Sequence, residues 1–132
     1  MKTGNERINM TITEVSKKFD LTPETLRYYE KIGLLDPIQR KSNGIRDYSE
    51  EDLKRIEFIK CMRQAGLGIE VLKRYIDLLN KGDKTLLDRK ELLLEQRRLL
   101  AKRMEEMEET LSHLDYKIEN YEKLLIKTNK GE

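Results

Sequence analysis

The sequence has few of the residues that build disulfides, metal sites or catalytic centres. Among its 132 residues are one cysteine, one histidine, two prolines and no tryptophan. One cysteine excludes a disulfide within the chain, and one cysteine with one histidine is too few ligands for the usual tetrahedral metal site. There is no Ser/His/Asp or Cys/His pairing and no glycine-rich phosphate loop. We therefore expect neither enzymatic activity, nor a metal, nor a cofactor.

Long apolar runs are also missing. No stretch approaches the length of a membrane span, and the first residues lack the apolar core of a signal peptide. Hydrophobic residues make up 37% of the chain and charged residues 39%, a balance typical of a small α-rich domain with a long solvated helix. We expect a cytoplasmic protein with one compact domain, an appendage and no membrane segment.

The net charge is too small to identify a partner by itself. It is +2 for the whole chain. Residues 1–80 contain fifteen Lys and Arg against thirteen Asp and Glu, and residues 81–132 contain twelve of each kind. The positive excess lies in the N-terminal part, but two charges are an ordinary surface balance. Any nucleic-acid signal must come from where the cations are placed.

Two short helices joined by a tight turn are predicted after the first ten residues. Thr11 and Glu14 have capping-box spacing, and apolar residues recur at near-helical intervals to about Phe19. Thr22 supplies an N-cap oxygen for the next helix, and Pro23 fits its first position. The pattern is typical of a helix-turn-helix whose second helix reads DNA. A plain helical hairpin fits the same residues.

The segment from Pro37 to Tyr48 has the pattern of a β-hairpin. Asn43 and Gly44 are a favoured pair for a tight turn, and strand-forming residues flank them. Cations on a projecting ribbon suit phosphate contact beside a helix in the major groove. The segment predicts a wing, and with it a winged helix-turn-helix.

Two more helices are expected after this wing. Ser49 is an N-cap residue with an acid, Asp52, three positions later, which predicts a third helix to about Gln64. Two glycines then interrupt the chain. An amphipathic stripe predicts a fourth helix from Ile69 to about Asn80.

The C-terminal part has the pattern of a coiled coil. Between residues 84 and 126 there is no proline or glycine, and apolar residues follow a seven-residue spacing. Forty residues form a rod of roughly 60 Å, which a monomer of this size cannot bury. We therefore predict a homodimer, of parallel or antiparallel helices. The predicted interface residues are Leu100, Met104, Met107, Leu111, Leu114, Ile118, Tyr121 and Leu125.

These patterns predict a mainly α fold in four parts. An N-terminal tail covers residues 1–10, and a winged helix-turn-helix DNA-binding domain with a small β-hairpin wing covers residues 11–80. A long dimerisation helix covers residues 81–126, and a C-terminal tail covers residues 127–132.

Three stretches resemble the MerR family of transcriptional regulators. They are LRYYEKIGLL at residues 26–35, GIRDYSEEDL at residues 44–53 and FIKCMRQAGLGI at residues 58–69. The resemblance implies a homodimer with an antiparallel coiled coil that binds a near-palindromic operator in double-stranded promoter DNA. It also implies control of transcription through distortion of that DNA, with RNA polymerase as a partner.

The predicted DNA contacts lie on the first two helices, the wing and the end of the third helix. Residues early in the recognition helix reach base edges, which favours Thr22, Thr25 and Arg27 for sequence choice, although Arg27 could equally contact a phosphate. Tyr28 and Tyr29 can donate hydroxyls to phosphate, a role the resemblance favours, with one of them partly in the core. The complete set is Thr13, Lys17, Thr22, Thr25, Arg27, Tyr28, Tyr29, Arg40, Lys41, Arg46 and Arg63.

Cys61 is the candidate effector-sensing residue. Its position resembles that of a cysteine in the AdhR/NmlR-like branch of the family, whose members respond to aldehydes and other electrophiles. Lys60 and Arg63 would stabilise a thiolate, whereas Glu57 and a place late in its helix would oppose one. A free cysteine on a helix is most often a small buried hydrophobe. A sensor and a packed thiol both remain open.

Two other functions fit parts of the pattern. An architectural or excision-type DNA-binding factor would use the same reading helix without the long heptad helix. A coiled-coil adaptor would use the heptad helix alone. We favour a MerR-type regulator because a fixed operator spacing requires both elements.

Overall fold

The computed structural model describes residues 9–131 and contains five α-helices in that range. They are α1 (Ile12–Phe19), α2 (Pro23–Lys31), α3 (Glu50–Gln64), α4 (Ile69–Asn80) and α5 (Leu86–Gly131). The chain divides into one unit that ends at Lys90 and a second that begins at Glu91. The predicted tail, residues 1–10, lies outside the described residues except for its last two. No helix between residues 9 and 131 is long and apolar enough to cross a membrane.

Local capping fixes where α1 and α3 begin, as predicted. Thr11 Oγ1 accepts the N–H of Glu14 at 3.2 Å, and the Glu14 carboxylate accepts the N–H of Thr11 at 2.9 Å. Ser49 and Asp52 form the same reciprocal pair at 3.2 and 2.9 Å. Each pair satisfies N–H groups that have no partner in the first helical turn.

The turn between α1 and α2 depends on Asp20. It is left-handed with φ +54°, the one non-glycine residue of the described range with a positive φ. The N–H of Leu21 donates to the Ser16 carbonyl at 3.1 Å, and the Ser16 hydroxyl donates back to the Leu21 carbonyl. An aspartate tolerates this conformation better than most residues. Because of this turn, only three residues, 20–22, separate the end of α1 from the start of α2.

The core of the first unit joins α1, α2, α3 and α4 to the base of the segment 37–48, where Ile38 and Tyr48 are buried. We call this base the wing root. α1 packs on α2 and α3, and α3 packs on α4, where the rings of Phe58 and Tyr75 lie 5.2 Å apart. Burial of these apolar side chains is the main force that fixes α2 in place. The largest fully buried side chains are Val15, Leu26, Leu34, Leu35, Tyr48, Ile56, Ile59, Leu72 and Ile76.

The prediction of a β-hairpin is wrong about its strands, because no strand forms within the described residues. We keep the name wing for residues 37–48. Its backbone makes one isolated bridge between Arg40 and Arg46, and Tyr48 makes another with Met10, ahead of α1. The return arm therefore leaves the first arm after a single bridge and pairs with a different segment. Two consecutive bridges between the same two arms, which a strand ladder needs, do not occur.

The tip of the wing is a three-residue loop, residues 42–44, built on a tight turn. The N–H of Gly44 donates to the Lys41 carbonyl at 2.8 Å, and the N–H of Lys41 donates to the Ile45 carbonyl at 2.8 Å. Gly44 has φ +85° and follows the turn, while Asn43 Oδ1 accepts the N–H of Ile45 at 3.1 Å. This is the hairpin loop in which a glycine takes the left-handed position after the turn.

Most of the long helix α5 belongs to the second unit. It extends to Gly131, five residues past the predicted end at about Ile126. Leu100 is half-buried, whereas the other seven predicted interface side chains, from Met104 to Leu125, are each more than half exposed. A long stripe of exposed apolar side chains is typical of an interaction surface. The four-part division of the chain stays a prediction.

Candidate nucleic-acid interface

Adjacent residues of α2 face opposite ways. Arg27 is exposed and Tyr28 is 50% exposed, whereas Leu26 is fully buried and Tyr29 is only 6% exposed. The two tyrosine rings lie 6.4 Å apart. Of the tyrosines predicted to donate to phosphate, Tyr28 is therefore the one with a solvated ring, and the ring of Tyr29 belongs to the core.

The start of α2 is built by a threonine cap. Thr22 Oγ1 accepts the N–H of Thr25 at 3.1 Å, and Pro23 occupies the first turn. Both threonines stand at the N-terminal end, the part of a recognition helix that reaches base edges. Thr22 is exposed and Thr25 is half-buried.

α1 adds a second group of exposed polar side chains. Thr13 and Lys17 are both exposed and are four residues apart, so they share one face of the helix. The Lys18 ammonium instead lies 5.7 Å from the centre of the Phe19 ring, a distance at which a cation is attracted to an aromatic face.

Two of the three predicted wing cations bind groups of the protein itself. Arg40 Nη1 donates to the Gly44 carbonyl at 2.8 Å and so braces the wing turn. Arg46 Nε donates to Glu30 Oε1 at 2.9 Å, and the two side chains are only 22% and 18% exposed. Lys41 is exposed at the turn. A phosphate role for Arg46 stays a prediction that must compete with this carboxylate.

Tyr48 anchors the wing root. Its side chain is fully buried, and its hydroxyl has no hydrogen-bond partner among the described residues. Burial raises the pKa of Tyr48 above its ordinary value of 10.0. The nearby cations of Arg46 and Arg27 act in the opposite direction, and the carboxylate of Glu30 adds to the rise.

A cationic pocket that the sequence only partly indicated lies beside the turn between α1 and α2. Arg63 was a predicted contact, but Lys60 and Gln64 were not. Their spacing of three and four residues on α3 could have identified them as sharing one face. The pocket has a volume of about 270 Å³ and is lined by Asp20, Leu21, Tyr29, Lys60, Arg63 and Gln64.

Cys61 is exposed rather than packed. The two cations expected to stabilise its thiolate are engaged elsewhere: Lys60 donates to the Phe19 carbonyl, and Arg63 Nη1 donates to the Leu67 carbonyl at 2.9 Å. No group of three or more His, Cys, Asp or Glu side chains in the described range could hold a metal ion.

Comparison with family models matches this arrangement along most of the chain. Residues 10–79 match the model described as MerR HTH family regulatory protein, and residues 53–116 match the model described as MerR, DNA binding. The chain belongs to the MerR family. This MerR protein is thus a DNA-binding regulatory protein by family, and the resemblance read from its sequence is confirmed.

Curated relatives agree with this assignment. The HTH-type transcriptional regulator AdhR of Bacillus subtilis is 56% identical over 91 residues, which cover 69% of this chain and 65% of AdhR. The match therefore spans slightly less than two thirds of that relative. An uncharacterised HTH-type transcriptional regulator of Pseudomonas aeruginosa is 36% identical over 98 residues, which cover 74% of each protein.

Solved structures show the same fold. A MerR family transcriptional regulator from Listeria monocytogenes has a TM-score of 0.85 and 45% identity, with 92% of each chain covered. HiNmlR, described as a MerR family regulator lacking the sensor domain and bound to promoter DNA, has a TM-score of 0.79 and 28% identity. That match covers 87% of this chain and 91% of HiNmlR.

Proposed function

We propose that this MerR protein binds a near-palindromic promoter operator as a homodimer and controls transcription by distorting the operator DNA. The observation that carries the proposal is the recognition helix α2, which is capped at Thr22, fixed by the buried Leu26 and exposes Arg27 and Tyr28. The structural similarity to HiNmlR, itself bound to promoter DNA, supports it. The relatives of this MerR protein are named as transcriptional regulators, and we propose no catalytic activity for it.

The proposed dimer forms through an antiparallel coiled coil of α5. Its support is the stripe of apolar side chains from Met104 to Leu125, which are more than half exposed in the single chain. A dimer with twofold symmetry presents two copies of α2 to two half-sites of one duplex, so a palindromic operator follows. Distortion of promoter DNA acts through RNA polymerase, which we propose as a functional partner in the cytoplasm.

The proposed contacts separate into base readers and phosphate contacts. We assign base reading to Thr25 and Arg27, near the start of α2, because that end of a recognition helix reaches base edges. Arg40 and Arg46 bind groups of the protein itself, and Tyr29 lies in the core. We therefore do not propose them as DNA contacts. The proposed phosphate contacts are Thr13, Lys17, Tyr28, Lys41 and Arg63.

Fluorescence anisotropy on two duplexes of equal length tests this function. One duplex carries the DNA upstream of the protein's own gene, and the other has a random sequence. We expect tight binding to the first and weaker, strongly salt-dependent binding to the second. Arg27→Ala should reduce affinity for the upstream duplex more than for the random one, as expected for a base reader. Lys102→Ala, a cation at an outer position of α5, is the charge-matched control.

The outcomes separate this function from its two alternatives. A coiled-coil adaptor would bind neither duplex even at low salt. An architectural factor would bind both equally well, with no preference for the upstream sequence. Either result would contradict an operator-binding regulator.

A response to thiol-reactive electrophiles is a second proposed function, carried by Cys61. Its support is the exposure of the thiol and the similarity to AdhR. The exposure of the thiol gives an electrophile direct access to it. In vitro transcription from the upstream promoter, with and without formaldehyde, should change for the wild type and stay constant for Cys61→Ser. An equal response of both proteins would contradict the role.

A further inference from the structure

Glu30 ties the recognition helix to both arms of the wing. It is the last residue but one of α2, and its two carboxylate oxygens have different partners. Oε1 accepts Nε–H of Arg46 on the return arm at 2.9 Å, and Oε2 accepts the N–H of Ile38 on the first arm at 3.0 Å. Among the described residues, every hydrogen bond between α2 and the wing ends on this one carboxylate.

The two arms are also held to each other and to the N-terminal segment. The N–H of Asp47 donates to the Gln39 carbonyl at 2.8 Å, and Met10 and Tyr48 exchange two backbone hydrogen bonds at 3.0 and 2.8 Å. Asn9 Nδ2 donates to the Asp47 carboxylate at 2.9 Å. The wing root is therefore a connected piece, and the Glu30 carboxylate joins it to α2 through two hydrogen bonds.

The pair of Glu30 and Arg46 is partly shielded from water, with side chains 18% and 22% exposed. A shielded, hydrogen-bonded ion pair is geometrically well defined, and removal of one partner leaves the other charge uncompensated. A guanidinium paired with a carboxylate contributes little net charge to a nearby phosphate. Arg46 is thus less able to contact a phosphate, which is the role that its place on the wing predicts.

We propose that Glu30 is a positioning residue that determines DNA specificity by holding Arg46 in the wing root and so fixing the wing at one distance from α2. This inference rests on the proposed DNA-binding function and deepens it. With the root fixed, Lys41 at the wing turn reaches a phosphate at one spacing from the bases that α2 contacts. Duplexes of another groove width or bend lose that contact, which is a readout of DNA shape.

Three variants test the proposal on the upstream and random duplexes, each across a salt series. Glu30→Gln removes the negative charge and one acceptor, and Arg46→Gln removes the positive charge. Both should lower the preference for the upstream duplex by about tenfold, the scale of one lost specific contact. The double variant should lose no more than either single variant, because both act through one pair.

The salt dependence separates positioning from direct contact. Glu30→Gln frees the Arg46 charge for phosphate, so log K against log salt on random DNA should steepen by about 0.9 per protomer, or about 1.8 per dimer. Arg46→Gln should leave this slope unchanged. A slope that is shallower by the same amount in Arg46→Gln would show a phosphate contact and overturn the proposal.

Glu57→Gln, at an exposed position of α3, is the matched control and should change nothing. Thermal melting verifies that each variant is folded at the assay temperature. Equal losses of affinity for both duplexes in Glu30→Gln, with an unchanged slope, would indicate only a structural role and overturn the proposal. If the wild type shows no preference between the duplexes, the proposed function itself fails. If that preference is intact in Glu30→Gln, only this inference fails.

Discussion

Thr22 donates its hydroxyl hydrogen to the hydroxyl oxygen of Thr25 at a distance of 2.9 Å, at the start of the recognition helix. The same oxygen of Thr22 accepts the Thr25 N–H. The donor of Thr22 is thus used inside the cap, whereas the hydroxyl hydrogen of Thr25 has no acceptor within the part of the chain that the structure describes. Two threonines that the sequence presents as equal base readers therefore have different roles.

Substitution of these two threonines should change different properties, the stability for Thr22 and the DNA preference for Thr25. Thr22→Ala should lower the free energy of unfolding by about 1 kcal/mol, because α2 loses its cap. Thr25→Val keeps the side-chain shape and the N–H that Thr22 caps but removes the acceptor of the Thr22 hydroxyl, so stability should fall by only about 0.5 kcal/mol while the preference for the upstream duplex falls. Urea denaturation and anisotropy measure the two effects. Unchanged DNA preference in Thr25→Val would remove it from the base readers.

The buried hydroxyl of Tyr48 leads to a stability prediction. Because this group has no partner among the described residues, Tyr48→Phe should be neutral or more stable than wild type by up to about 1 kcal/mol near pH 7. Urea denaturation monitored by circular dichroism measures it. A loss of more than about 1 kcal/mol would mean that the hydroxyl is satisfied.

The same variant should also change the pH dependence of stability. The pKa of Tyr48 is raised in the folded state above 10.0, so above pH 10 the unfolded chain ionises first and gains stability relative to the folded one. Wild type should therefore lose stability as pH rises through and above 10, and Tyr48→Phe should lose less. Tyr116→Phe, at an exposed position of α5, is the control for the loss of a tyrosine. Equal pH profiles for Tyr48→Phe and wild type would contradict the prediction.

The start of α4 offers a stabilising change. Its N-cap is Gly68, with extended backbone at φ −76° and ψ 160° and no side-chain cap. A Cβ at this position would meet nothing within 4 Å. Gly68→Ser should raise the free energy of unfolding by about 0.5–1 kcal/mol through a new cap and a less flexible unfolded chain.

Gly68→Ala is the control for that change, because it restricts the unfolded chain but adds no acceptor. Its stability should be about 1 kcal/mol below that of Gly68→Ser. Thermal and urea unfolding of the three proteins compare them directly. Equal stability of the two variants would show that the serine does not cap α4.

The proposed dimer interface is tested by charge substitution on α5. Leu111→Lys and Leu114→Lys place ammonium groups on the apolar stripe, where a coiled coil would have to bury them, so the dimer should dissociate. Ser112→Lys adds the same charge at an outer position and should remain dimeric. Sedimentation velocity at micromolar concentration distinguishes the states. A monomeric wild type, or dimers in all three variants, would contradict the interface.

Helix positions were predictable because the signals are local. Thr11 with Glu14, and Ser49 with Asp52, lie within one turn of each other, so their capping pairs are visible as spacings in the sequence. The family is likewise readable from contiguous stretches. The end of α5 was set too early, at about Ile126 instead of Gly131, because the apolar seven-residue spacing stops at Leu125 whereas the helix continues through the polar residues 127–130.

Side-chain roles in the wing were decided by contacts distant in sequence. Arg46 is recognisable as a cation on a ribbon, but its carboxylate partner, Glu30, is sixteen residues away. Tyr48 pairs with Met10, thirty-eight residues before it, and this pairing replaces the expected strand ladder.

The sequence alone therefore determined the helices, the family and the heptad stripe, because short-range spacing encodes each of them. Only the tertiary structure decided which cations remain exposed to a duplex and which of two adjacent tyrosines, Tyr28 or Tyr29, enters the core. The physical reason is that exposure and ion pairing depend on which distant groups packing brings within about 3 Å.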